Sequence, residues 1–144
     1  MMRIVFDEST LEQGENVGRS ITGVLYFDFS GFFFPGDGWS DFVVVILTWW
    51  LSALERLERG VECEGVLRFM DGPYWIAVAA RDGDVVLLRC TEDRRGVGVV
   101  HEEQVSLSEL GREVRRIAKQ VASACQRRRI DSSDVDVLRR YFPG

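Results

Sequence analysis

The chain has 144 residues, 46% of them hydrophobic and 28% charged, and carries a formal net charge of -5. That length suits one compact domain, residues 1–144, with its own core, and that composition excludes a disordered or low-complexity polypeptide. Three scattered cysteines, Cys63, Cys90 and Cys125, form no CxxC pair, which argues against both a disulfide framework and a thiolate zinc site.

Residues 3–6, Arg3-Ile4-Val5-Phe6, read as a short first strand. The N-terminus meets acids at Asp7 and Glu8, with no basic segment followed by a long apolar run, so no secretory leader is expected and the protein is expected to be soluble and cytoplasmic. Residues 7–19 hold Asp7, Glu8, Glu12 and Glu15 with two glycines and read as an acidic loop. Residues 21–29 are β-branched and aromatic and predict a strand. Ser30-Gly31 turns it into Phe32-Phe33-Phe34, a hairpin return that Pro35 stops.

The segment after Trp39 has two competing signals. Val43-Val44-Val45-Ile46 favours a strand by propensity. Against it, Ser40 suits an N-cap and Asp41 the positive end of a helix dipole. The spacing of Leu47, Trp50, Leu51, Leu54 and Leu57 is helical, and Gly60 suits a C-terminal stop. These signals predict a central helix over residues 41–59. Its apolar part, residues 42–54, is shorter than the roughly 17 residues a membrane span requires, so it belongs in a core.

A meander follows, with strands over residues 65–70, 74–81, 84–90 and 97–105. Asp82-Gly83 between apolar runs is the strongest hairpin signal in the chain. Trp75-Ile76-Ala77-Val78-Ala79 and Val85-Val86-Leu87-Leu88 are apolar on both parities, which predicts cover on both faces of these strands. Ser106 and Glu109 make a capping box for a helix whose stripe is Leu107, Leu110, Val114, Ile117, Val121 and Cys125. A short last helix follows Asp131-Ser132-Ser133-Asp134. The expected fold is α+β: a largely antiparallel sheet of about six strands, two main helices and a short C-terminal helix.

Candidate chemistry is sparse. His101-Glu102-Glu103 is not a zincin HExxH, because position 105 is Val and no second histidine exists. Neighbouring strand residues point to opposite faces, so a solvated strand end is the plainer reading. Asp28, Asp37, Asp41 and Asp71 sit near turns and have the hard oxygens a Mg²⁺ site needs, yet each also fits a turn or helix-start role. Gly96-Val97-Gly98 lacks the third glycine of a dinucleotide fingerprint. No metal or cofactor is expected.

Charge is uneven. Residues 1–105 carry 18 acids against nine bases, and residues 106–144 carry five acids against nine bases. The basic helix has no aromatic interleaving in a chain of pI about 5.0, so nucleic acid is a disfavoured partner. Acidic segments beside aromatic residues suit a protein that docks on a basic protein.

Phe34-Pro35, Trp39, Asp41-Phe42, Leu47 and Trp49-Trp50, followed by Phe69-Met70-Asp71-Gly72-Pro73-Tyr74, carry a resemblance over residues 20–80. The pattern is similar to small bacterial proteins that themselves look like the immunity proteins encoded beside polymorphic or contact-dependent toxins. The resemblance implies a stoichiometric, non-enzymatic binder that occludes a basic toxin domain. The expected partner-binding residues are Asp7, Glu8, Glu12, Glu15, Asp37 and Trp39. The alternatives are a small metal-dependent hydrolase using Asp28, Asp71, His101 and Glu102, or a homo-oligomer, in the simplest case a homodimer, built on the doubly apolar strands.

Overall fold

The computed structural model describes residues 1–15 and 20–143. It is an α+β fold in which eight strands, among the described residues, form two antiparallel sheets of four. The first sheet has the order β1 (Met2–Gln13), β2 (Ile21–Phe29), β3 (Phe32–Phe34), and β4 (Ser40–Asp41) pairs further along β2 at Gly23 and Val24. The second is the meander β5 (Glu64–Arg68), β6 (Tyr74–Ala80), β7 (Val85–Asp93), β8 (Val97–Ser106). Between them in sequence runs α1 (Val43–Glu58), while α2 (Leu107–Arg127) and α3 (Ser133–Arg139) close the chain.

The strands therefore divide into two sheets where one sheet of about six was expected. The reason is α1, which packs against β2 of one sheet, β5 of the other, and both later helices. Its residues Val43, Val44, Ile46, Leu47, Trp50, Leu51, Leu54 and Leu57 are all buried, so apolar side chains cover more than one stripe. Trp50 shows the consequence: its ring meets Phe27 of β2 at 5.4 Å and Phe69, just after β5, at 5.3 Å. Its indole Nε1 donates to the Arg68 carbonyl at 2.8 Å.

The β-branched run 43–46 is helical, as capping and spacing predict, but the start differs. Ser40 is not the N-cap. Ser40 and Asp41 form β4, Phe42 precedes the helix without a side-chain cap, and Ile46 N–H closes the first turn on the Phe42 carbonyl at 3.0 Å. At the other end Gly60 has φ +69°, the left-handed geometry of a helix stop.

The expected acidic loop is also corrected. β1 runs on to Gln13, its register on β2 shifting between Asp7 and Glu12, and it places Leu11 in the core. Strand structure holds there because β1 is an edge, where charged side chains are tolerated and protect against stray pairing. Residues 16–19 of that segment lie outside the described residues. Three local expectations hold: Ser106 accepts a hydrogen bond from Glu109 N–H at 2.9 Å, Gly83 turns the β6–β7 hairpin at φ +63°, and Cys90 and Cys125 are buried.

β6 and β7 bury one face, through Ile76, Val78, Val86, Leu88 and Cys90. The other face, with Trp75, Ala77, Ala79 and Leu87, is only partly covered. Among the described residues no helix is long and apolar enough to cross a membrane.

Candidate functional site

β2 alternates without a fault. Ile21, Gly23, Leu25, Phe27 and Phe29 point into the core, and Thr22, Val24, Tyr26 and Asp28 point outward. Cross-strand partners share a face, so β1 adds Arg3 opposite Asp28, Val5 opposite Tyr26, Asp7 opposite Val24 and Glu12 opposite Thr22. Phe33 of β3 lies opposite Asp28 and packs edge-on to Tyr26, ring centroids 5.7 Å apart. The outer face of the first sheet is thus an aromatic pair, Tyr26 and Phe33, ringed by acids.

The electrostatics centre on Tyr26. Partial burial pushes its phenol up, and the charge and hydrogen bonding of Asp37 raise it further, with smaller contributions from Asp28 and Asp7. The hydroxyl stays protonated at neutral pH among three carboxylates. Asp28 also accepts from Gly31 N–H at 2.8 Å, holding the β2–β3 turn, and Asp7 accepts from the Ser9 N–H and hydroxyl. Asp37 and Glu12 are exposed, and among the described residues neither takes part in an ion pair.

Of the residues expected to bind a partner, Asp7 and Asp37 come together beside Tyr26, and Glu12 lies on the same face further along, opposite Thr22. Glu8 does not stand free: it pairs with Arg127 of α2. Glu15 lies past the end of β1 and is exposed. Trp39 is half-buried, packs edge-on to Tyr74 at 5.2 Å, and donates its Nε1–H to Asp41 at 2.9 Å. Its ring fills the space beside Gly72, where a Cβ would stand 2.8 Å from it. Trp39 therefore belongs to the packing around Asp41. Tyr26 and Phe33 were not singled out from the sequence, although the period-2 alternation of β2 was the signal that places Tyr26 outward.

The basic stretch of α2 is largely engaged within the protein. Arg115 makes a two-pronged pair with Glu58 at 2.9 and 2.6 Å, and Arg116 bonds Glu113 and the Ile4 carbonyl. Arg128 donates to the Leu11 carbonyl at 2.6 Å.

The four residues of the hydrolase alternative are not assembled. Asp28 is on the outer face of the first sheet. Asp71 gives its N–H to Asp41, and Glu102 pairs with Arg89 at 3.4 Å. His101 faces the other way, its ring stacked on Phe32 at 4.7 Å and 3.3 Å from Glu103. Cys90 lies opposite His101 across the strands. Burial, helped by the Glu103 charge, pushes its thiol up to about 12, so it stays protonated and poorly nucleophilic at neutral pH. Among the described residues no group of three or more His, Cys, Asp or Glu side chains is placed to hold a metal ion.

No family model, no curated protein and no solved structure matches the chain.

Proposed function

We propose that this chain is a non-enzymatic protein-binding module that neutralises a basic partner by covering its working surface, as an immunity protein does to a toxin in the cytoplasm. The observation that carries this reading is the outer face of the first sheet. There Tyr26 and Phe33 offer an aromatic centre, with Phe33 37% exposed, and among the described residues Asp7, Glu12, Asp28 and Asp37 share this side with Arg3. Rigid aromatics supply the contact energy of an interface, and a one-sign rim steers a partner of opposite charge. The face is built on strands, so it is positioned before the partner arrives.

The test is binding kinetics at several ionic strengths against the product of the neighbouring reading frame. Because the Debye length falls from about 10 Å at 0.1 M to about 3 Å at 1 M salt, steering is lost first. Glu12→Lys with Asp37→Lys should slow association about tenfold at low salt and leave the fold intact. Phe33→Ala should act on dissociation instead, at about 1–2 kcal/mol. An association rate indifferent to salt and to both reversals would sink this face as the docking surface.

A further inference from the structure

We infer that β5 is a self-pairing edge: two copies of this chain join antiparallel at β5 about Val66, fusing their second sheets into one. β5 is the terminal strand of its sheet. The Ala80 N–H to Cys63 carbonyl bond (2.8 Å) and the Phe69 N–H to Tyr74 carbonyl bond (3.1 Å) fix which residues bond to β6. In an antiparallel ladder these alternate, so residues 63, 65, 67 and 69 turn their backbone groups toward β6, and Glu64, Val66 and Arg68 turn theirs outward. The Arg68 carbonyl agrees with this, since it accepts from Trp50 Nε1 on the far side, and it retains a second lone pair. Among the described residues no hydrogen bond reaches the outward groups of Glu64 and Val66.

The contrast with β1 shows that this fold covers an edge where it needs to. The Ile4 N–H donates to Glu113 at 2.8 Å, the Ile4 carbonyl accepts from Arg116 at 3.0 Å, and the Leu11 carbonyl accepts from Arg128. β8, at the other end of the second sheet, is bulged opposite Cys90 and Thr91 and carries Glu102 and Glu103 side by side. Bulges and like charges both protect an edge.

β5 has neither device, and its sequence is complementary to itself. In an antiparallel pair centred on Val66, Glu64 lies opposite Arg68 of the second copy, and Arg68 opposite its Glu64. The two ion pairs stand on the same face as the central Val66 pair. Residues 64, 66 and 68 are also those with outward backbone groups, so charge register and hydrogen-bond register agree. A single two-fold axis satisfies both. Beside this edge α1 presents Trp49, Ser52 and Arg56 at helical spacing. They line an open groove of about 720 Å³ with Val66 and Arg68, and Trp49 is 42% exposed. The groove extends over Ala77 and Ala79 of β6 on the exposed face of the sheet, and the two-fold brings the same face of α1 toward its copy. This pairing uses the second sheet and is independent of the acidic face of the first.

Sedimentation equilibrium of the full chain tests it. The expected species has twice the 16.4 kDa chain mass. Glu64→Arg and Arg68→Glu, made separately, each set like charges opposite one another twice per dimer and should weaken self-association about tenfold or more. Mixing the two variants should restore a mixed dimer, because the arginines of the first variant then lie opposite the glutamates of the second at both pairings. Val66→Pro removes an outward N–H without taking a bond from the β6 ladder and should give a folded monomer by circular dichroism. A wild-type monomer, including one that captures extended peptides on this edge, overturns the proposal. So does a dimer that neither charge variant weakens, or a mixture that stays monomeric.

Discussion

At the scale of single residues the molecule turns on Asp41. It is 1% exposed, yet it accepts from Trp39 Nε1, from its neighbour Phe42 N–H, and from the N–H groups of Met70 and Asp71. One carboxylate thereby fastens the entry to α1, the last strand of the first sheet and the turn after β5. A buried polar group is tolerated when its hydrogen bonds are met, and among the described residues no buried side-chain nitrogen or oxygen lacks a partner. Asp41→Ala leaves several donors facing a void and should cost about 2–4 kcal/mol in urea unfolding. Asp41→Asn keeps the volume and one acceptor oxygen but turns a donor toward donors, so it should recover only part of the loss. Sequence reasoning saw Asp41 as a carboxylate that suits a helix dipole. Nothing local announces that residues 70 and 71, which lie far along the chain, will turn their N–H groups to it.

At the scale of elements, what was legible was whatever chain-local physics decides. Ser106 and Glu109 announce α2, Asp82-Gly83 announces the β6–β7 hairpin, and the strict alternation of β2 announces a half-buried strand. The end of β1 was hidden because four acids in a row of thirteen residues read as solvated chain. Asp7, Glu8 and Glu12 are nonetheless in the strand, and β2 pairs one side of it. On the open edge Arg128, just past α2, donates to the Glu8 and Leu11 carbonyls, while Glu113 and Arg116 of α2 hold the same edge further back at Ile4. The candidate face was legible for the same reason in part only: Asp7, Glu12 and Asp37 drew attention by charge, while Tyr26 and Phe33 required the register. The α2–β1 clamp carries a pH signature. The Arg116 hydrogen bond, and after it the Ile4 N–H, hold the Glu113 carboxyl below its ordinary value, against an opposing effect of burial. A depressed folded value means stability that is present above the unfolded carboxylate pKa of about 4.3 and is lost as pH falls through the folded value. Glu113→Gln should therefore destabilise at pH 7 by about 1–3 kcal/mol and flatten the acid limb of the stability curve below a pH of about 4.3. Thermal unfolding of both proteins from neutral pH down into the acid limb checks this. Parallel curves would mean that the clamp contributes nothing linked to protons.

At the scale of the whole molecule the question is whether two sheets behave as one body. What joins them is α1 between β2 and β5, the contacts of Phe34, Trp39 and Asp41 with Phe69, Met70 and Tyr74, and a further seam where Phe29 and Phe32 pack on His101 of β8. Trp50 of α1 touches both sides, through Phe27 on one and through Phe69 and the Arg68 carbonyl on the other. If the core is continuous, loss of that ring weakens both sheets equally, because neither retains a core without α1. Trp50→Ala should then cost about 3–5 kcal/mol, the range for deleting a buried large aromatic. Amide exchange should rise by a similar factor in β2 and in β6, with one coincident transition by fluorescence and circular dichroism. Trp50→Phe refines the measurement: it keeps most of the packing but leaves the Arg68 carbonyl without its indole donor, at about 1 kcal/mol. Exchange that rises in the second sheet while β2 stays protected would show that the sheets are separate cooperative units.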